Sequence, residues 1–144
     1  MKHVEIYTDG ACKGNPGAGG WAAVLLYGTV SKEISGGCAN TTNNKMELTA
    51  VIESLKALKE PCNVTITTDS KYVSDAINKG WLNNWVKSGW VNSSKKPVKN
   101  VEMWKELLKL LNTHTVKFVW VKGHADCAYN VICDRLAVAE SNKF

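Results

Sequence analysis

Apolar and polar positions alternate over residues 3–9, with Val4, Ile6 and Thr8 on one side and Glu5, Tyr7 and Asp9 on the other. That two-residue period is the mark of a strand. Residues 20–28 form a mostly apolar run that reads as a buried strand, and residues 31–37 as a short polar one. The brief link at Gly28 joins these two as an antiparallel pair. Between the first two strands lies a glycine-rich stretch, Gly10 to Gly20, which contains Asn15-Pro16 and reads as a loop.

From residue 43 to 59 the period lengthens. Leu48, Val51, Ile52, Leu55 and Leu58 recur near 3.6 residues and predict a helix, capped by Asn43 or a preceding threonine and stopped at Glu60-Pro61. Residues 63–68 alternate again as a strand, and Asp69-Ser70 opens a short helix to about residue 78. Gly80 breaks it, and a second short helix carries Trp81 and Trp85. A polar, basic loop follows at 88–98, then a helix at 99–112, a strand at 115–120, a turn at Gly123-His124 and a last helix at 127–141. Three strands followed by strands alternating with helices predict an α/β fold. Its five-stranded mixed sheet has three antiparallel strands, then parallel ones, flanked by helices. No repeat or linker interrupts the chain, so residues 1–144 read as a single domain.

Composition narrows the class. With 44% hydrophobic and 22% charged residues the chain is globular, and no leader or membrane-spanning run is visible, so the expectation is a cytoplasmic protein with no membrane partner. The five cysteines are odd in number and lack Cys-x-x-Cys spacing, which argues for free thiols over disulfides or zinc. Charge placement changes the picture more. Residues 79–109 hold seven lysines against two acids, so this stretch alone accounts for the net charge of +5. It also holds Trp81, Trp85, Trp90 and Trp104, four of the six tryptophans. A basic segment interleaved with aromatics fits a handle for a polyanion, although a solvated helical face with tryptophans in the core has the same composition.

Four acids stand where acids are costly. Asp9 and Asp69 end the first and fourth strands, and if these strands are adjacent and parallel both reach the carboxyl edge of the sheet. Glu47 lies in line with Val51, Leu55 and Leu58 on the apolar stripe of its helix, and Asp134 lies between Val131 and Val138 on the last helix. Each has an ordinary alternative: a helix cap for Asp69, a turn for Asp9-Gly10, a stripe edge for Glu47, a pairing with Arg135 or Lys122 for Asp134. Together they fit a cluster that a hard divalent cation would neutralise, Mg²⁺ or Mn²⁺ by ligand type. Two such ions are a standard apparatus for phosphodiester hydrolysis.

The motifs YTDGACKGNPGAGGW (7–21), NTTNNKMEL (40–48), TDSKYV (68–73), GWVNSSKKPVKNVEMW (89–104), VKGHA (121–125) and NVICDRLA (130–137) carry a resemblance. The chain resembles the bacterial type I ribonucleases H from residue 3 to about 140. The resemblance implies a ribonuclease H-like fold with a basic helical protrusion. It also implies a metal-dependent endoribonuclease that hydrolyses the RNA strand of RNA–DNA hybrids with two Mg²⁺ ions, leaving 5′-phosphate and 3′-hydroxyl ends. Asp9, Glu47, Asp69 and Asp134 match the metal-binding quartet, and His124 a histidine that assists proton transfer or product release. Asn15, Asn43 and Asn44 match hybrid contacts, and Gly10 and Cys12 lie in the segment that approaches the RNA. Thr42 and Asn100 match a site for a DNA phosphate. Trp81, Trp85, Lys87, Lys95, Lys96 and Lys99 belong to the protrusion, which would track the DNA strand. A monomer is implied.

Departures from the family pattern are Lys71 in place of an expected glutamine, Val131-Ile132 in place of charged residues, and one extra residue between Asp69 and Trp81. A DNA-cutting resolvase-like nuclease, a hybrid-binding module without catalysis and a two-carboxylate glycosidase are the competing readings. The asparagines and the protrusion disfavour the first, the intact quartet the second, and the basic segment the third.

Overall fold

The computed structural model describes residues 1–123 and 128–144. The strands are β1 (Lys2–Gly14), β2 (Gly17–Tyr27), β3 (Val30–Thr41), β4 (Cys62–Thr68) and β5 (Thr115–Trp120). The helices are α1 (Asn43–Lys56), α2 (Lys71–Asn78), α3 (Trp81–Ser88), α4 (Val101–Thr113) and α5 (Ala128–Ser141). The strands form one sheet in the order β3-β2-β1-β4-β5. The first three pair antiparallel, whereas β1–β4 and β4–β5 are parallel. This is the mixed sheet that the strand and helix periods predict.

Two apolar layers hold it. Val4, Ile6, Val64 and Ile66 of the central strands pack with Leu48, Val51 and Leu55 of α1 and with Trp104 and Leu107 of α4. On the opposite face Cys133 and Ala137 of α5 close against Ala22 and Val24 of β2. At about 25 cal/mol per Å² of apolar area, each such side chain, withdrawn fully from water, contributes roughly 1.5–3 kcal/mol before chain entropy is subtracted.

The glycine-rich stretch is not a loop. β1 continues to Gly14 and β2 begins at Gly17, with Gly10 opposite Trp21 and Gly14 opposite Gly17, so only Asn15-Pro16 remains as the link. The glycines serve close approach. A Cβ on Gly10 would lie 2.7 Å from the backbone nitrogen of Glu47, and one on Gly20 would lie 2.1 Å from the carbonyl oxygen of Ala137. Without side chains at these positions the first turn of α1 and the last turns of α5 settle directly on the hairpin. Two boundaries also differ from expectation. β3 runs to Thr41 instead of 37, and α1 ends at Lys56, several residues before Pro61, with Ala57 as its C-cap. Thr42 supplies the N-cap, its hydroxyl accepting from the Lys45 N–H at 3.2 Å.

The basic segment projects as α3 and the turns after it. Gly80 and Gly89, both with positive φ, bracket α3. The following turn is closed by a bridge between Val91 and Pro97. Its tryptophans divide: Trp104 is fully buried in the main core, Trp85 packs edge-on against it at 5.4 Å, and Trp81 is exposed.

Candidate active site

The parallel register that pairs Tyr7 with Thr67 carries β1 and β4 to the same edge of the sheet, and there Asp9 and Asp69 sit together. Neither serves as a simple turn or cap. Asp9 lies within β1, and the cap of α2 is Ser70, whose hydroxyl accepts from the Val73 N–H at 3.3 Å. Glu47 points inward from α1 and is 3% exposed. One carboxylate oxygen from each of Asp9, Glu47 and Asp69 lies within 4.8 Å of the others. Asp134, half-buried on α5, faces the same cavity of about 370 Å³, which Gly10, Asn43, Asn44 and Lys71 also line.

Such crowding has an electrostatic signature. Burial raises the pKa of Glu47 well above the ordinary carboxylate range. The charges of Asp9 and Asp69 and a hydrogen bond with Asp9 push the same way, against the Gly10 N–H, which favours the charged form. One Glu47 oxygen, Oε2, is buried and accepts no hydrogen bond among the described residues. A donor set made only of carboxylates, with a buried oxygen awaiting a positive partner, suits a hard divalent cation such as Mg²⁺ or Mn²⁺.

A second cavity, about 620 Å³, brings together Asn15, Thr42, Asn43, Asn44, Lys99 and Asn100 with Lys45, a residue the sequence reading did not single out. Asn43 and Asn44 line both cavities. Tyr72, also missed, links them. It lines the carboxylate cavity, and its hydroxyl accepts from Asn100 Nδ2 at 3.0 Å and from Trp104 Nε1 at 3.1 Å. Only three-dimensional contact between residues about thirty apart reveals that role. Cys12 is tied into the hairpin base, its thiol donating to the carbonyls of Thr41 at 3.4 Å and Gly17 at 3.5 Å.

The largest of these cavities, about 650 Å³, belongs to the protrusion and has Trp81 and Trp85 in its walls. The carboxylate cavity is smaller, yet it alone combines acids with a fitting cation site, so size is a poor guide to the chemistry here. Lys87, Lys95 and Lys96 are exposed on the protrusion and line none of the three cavities. His124 lies outside the described residues.

A sheet ordered β3-β2-β1-β4-β5 with α1 and α5 on opposite faces and acids at its central edge is the ribonuclease H-like fold. The ribonuclease H family model matches residues 1–142. Ribonuclease H of Thermoanaerobacter sp. (strain X514) is 61% identical over 137 residues, covering 95% of this chain and 88% of that protein. Ribonuclease H of Oleidesulfovibrio alaskensis is 53% identical over 143 residues, covering 99% and 93%. Among solved structures, LC9-RNase H1, described as a type 1 RNase H with the type 2 active-site motif, superposes with a TM-score of 0.89 at 30% identity, covering 99% of this chain and 74% of that one. The chain belongs to the ribonuclease H family and is a nuclease of the hydrolase class.

Proposed function

We propose that this enzyme hydrolyses the RNA strand of RNA–DNA hybrids endonucleolytically, leaving 5′-phosphate and 3′-hydroxyl ends, with residues 1–144 acting as one domain and as a cytoplasmic monomer. The observation that carries the reading is the carboxylate cavity flanked by an asparagine-lined one, in a chain of this family. Asp9, Glu47, Asp69 and Asp134 would hold two Mg²⁺ ions, with Mn²⁺ as a substitute. Bound there, the ions would activate the attacking water and neutralise charge on the departing oxygen.

The chain's own residues do the rest. Asn15, Asn43 and Asn44, whose amides both donate and accept, read 2′-hydroxyls along a minor groove, aided by the backbone at Gly10 and Cys12. Thr42, Lys99 and Asn100 hold a phosphate of the DNA strand. Trp81 and Trp85 face its sugars, while Lys87, Lys95 and Lys96 attract the backbone electrostatically. His124 shuttles a proton, a role that its intrinsic pKa near neutrality allows.

Matched RNA–DNA, RNA–RNA and DNA–DNA duplexes, each labelled on one strand at a time, test the proposal in Mg²⁺ and in EDTA. Cutting of the RNA strand of the hybrid alone, lost in EDTA, is the expected result. DNA cutting would favour the resolvase-like reading. Hybrid binding without cutting in either Mg²⁺ or Mn²⁺ would leave a binding module.

A further inference from the structure

Asn100 stands at the N-cap position of α4, where an asparagine ordinarily turns its side-chain oxygen onto the unpaired N–H groups of the first turn. Here it makes no such bond. Its backbone is left-handed, with φ at +60°, a conformation that strains any residue bearing a Cβ. Helix α4 thus gains little from this side chain, and the use of its carboxamide lies elsewhere.

The carboxamide reaches across to α2. Asn100 Nδ2 donates to the Tyr72 hydroxyl at 3.0 Å. The tyrosine is itself fixed: its oxygen accepts from Trp104 Nε1 at 3.1 Å, its ring lies 5.4 Å from the Trp104 ring, and Trp104 is fully buried. A continuous line of contact therefore runs from the main core through Trp104 and Tyr72 to Asn100, in the wall of the second cavity. The amide cannot rotate without breaking its bond to Tyr72, so its second N–H and its carbonyl oxygen keep one orientation. Around it the described lining of that cavity carries Lys45 and Lys99 and no acid, a setting for an anion.

We propose that Tyr72 is a positioning residue: it holds the Asn100 carboxamide in the one orientation that offers an N–H to a nucleic-acid phosphate in the second cavity, and the strained backbone of Asn100 is retained for that aim. This rests on the reading of that cavity as a phosphate site of a hybrid-cleaving enzyme. Substitution separates the parts. Tyr72→Phe keeps the ring and removes only the oxygen. Asn100→Gly removes the amide and suits the left-handed backbone.

The experiment is fluorescence polarisation of a labelled RNA–DNA hybrid in EDTA over a KCl series, with a circular dichroism melt of each variant and wild-type cleavage in Mg²⁺ alongside. Tyr72→Phe is expected to weaken binding about three- to tenfold, the loss of one ordered hydrogen bond. The slope of log Kd against log[KCl] should not move, because no charge is removed. Lys99→Gln, by contrast, should make that slope shallower by about 0.7–0.9. Asn100→Gly should weaken binding as far as Tyr72→Phe, although its Tm stays within about 3 °C of the wild type. The combined variant should bind no more weakly than Asn100→Gly alone.

Wild-type affinity in Tyr72→Phe would overturn the positioning role, as would losses that multiply in the combined variant. Wild-type affinity in Asn100→Gly would overturn the amide contact itself, a result that stands whatever Tyr72→Phe does to the fold. A hybrid bound by the wild type but left uncut in Mg²⁺ would refute hydrolysis and leave these comparisons intact, whereas absence of hybrid binding would sink both.

Discussion

Replacing Gly20 with alanine adds one methyl group where β2 passes beneath α5. The new carbon would lie 2.1 Å from the carbonyl oxygen of Ala137, 2.8 Å from the Ser141 nitrogen and 2.8 Å from the Glu140 Cβ. Comfortable contact between such atoms is about 3.5 Å, so the end of α5 must lift by more than about 1 Å. The obstacle is helix backbone, which cannot rotate aside as a side chain would. The cost should reach the upper part of the range for overpacking, about 3 kcal/mol. At roughly 2.1 cal/mol/K of unfolding entropy per residue, 144 residues lose about 3 °C of Tm per kcal/mol, or about 10 °C in all. Circular dichroism melts measure this directly. Because α5 also carries Asp134, cleavage at 25 °C, well below the melt, should fall alongside. Gly28→Asn is the control: its φ is +59°, which asparagine tolerates, and nothing lies within 4 Å of the added carbon, so Tm should shift by less than about 3 °C. A Gly20→Ala Tm within about 2 °C of wild type would refute the claim that the glycines exist to seat the helices.

Glu47→Gln should abolish metal-dependent cleavage yet raise the Tm of the metal-free protein near pH 7. A carboxyl whose folded pKa is raised contributes stability below its unfolded value and loses it as pH rises through the folded one, and the amide has no such loss; a lower metal-free Tm would contradict this. Adding Mg²⁺ should raise the Tm of the wild type and leave Asp9→Asn nearly unmoved, and an equal rise in both would place the ion elsewhere. His114 is buried and its Nδ1 accepts the Cys62 N–H at 3.0 Å, and burial lowers its pKa. Its neutral form stabilises the fold above the unfolded value of 6.5, and that contribution is lost as pH falls through the lower folded pKa. His114→Gln, which can still accept, should flatten the fall in Tm below pH 6.5, and an unaltered acid limb would exclude this source. Lys95→Ala with Lys96→Ala should raise KM and weaken its salt dependence; an unchanged KM would remove the protrusion from substrate binding.

The alternation at 3–9 and 63–68 and the stripe on α1 were readable because each side chain there reports which way it faces. The meeting of Asp9 and Asp69 followed from reading their strands as adjacent and parallel, although β1 runs on past Asp9 to Gly14, and the inward aim of Glu47 followed from its phase on the helix. The hairpin across Gly10 to Gly20 was not readable, since residues without side chains carry no period-two signal even when fully paired. The fate of the tryptophans was equally hidden. Trp104 at the centre of the core and Trp81 in solvent share one basic segment, and only tertiary packing separates them. The link from Tyr72 to Asn100 and Trp104 joins distant parts of the chain, a distance that local pattern cannot span.

That tyrosine imposes a direction on the wall it occupies. A phenolic oxygen has two lone pairs, and at Tyr72 the Asn100 amide and the Trp104 indole take both. What remains is one proton to give away. Tyr72 therefore meets its cavity as a pure donor: an oxyanion approaching it finds a welcome, and a hydroxyl or amine offering its own hydrogen finds none. A hydroxyl that is chemically ambivalent in water has been made one-sided by two neighbours from a distant part of the chain.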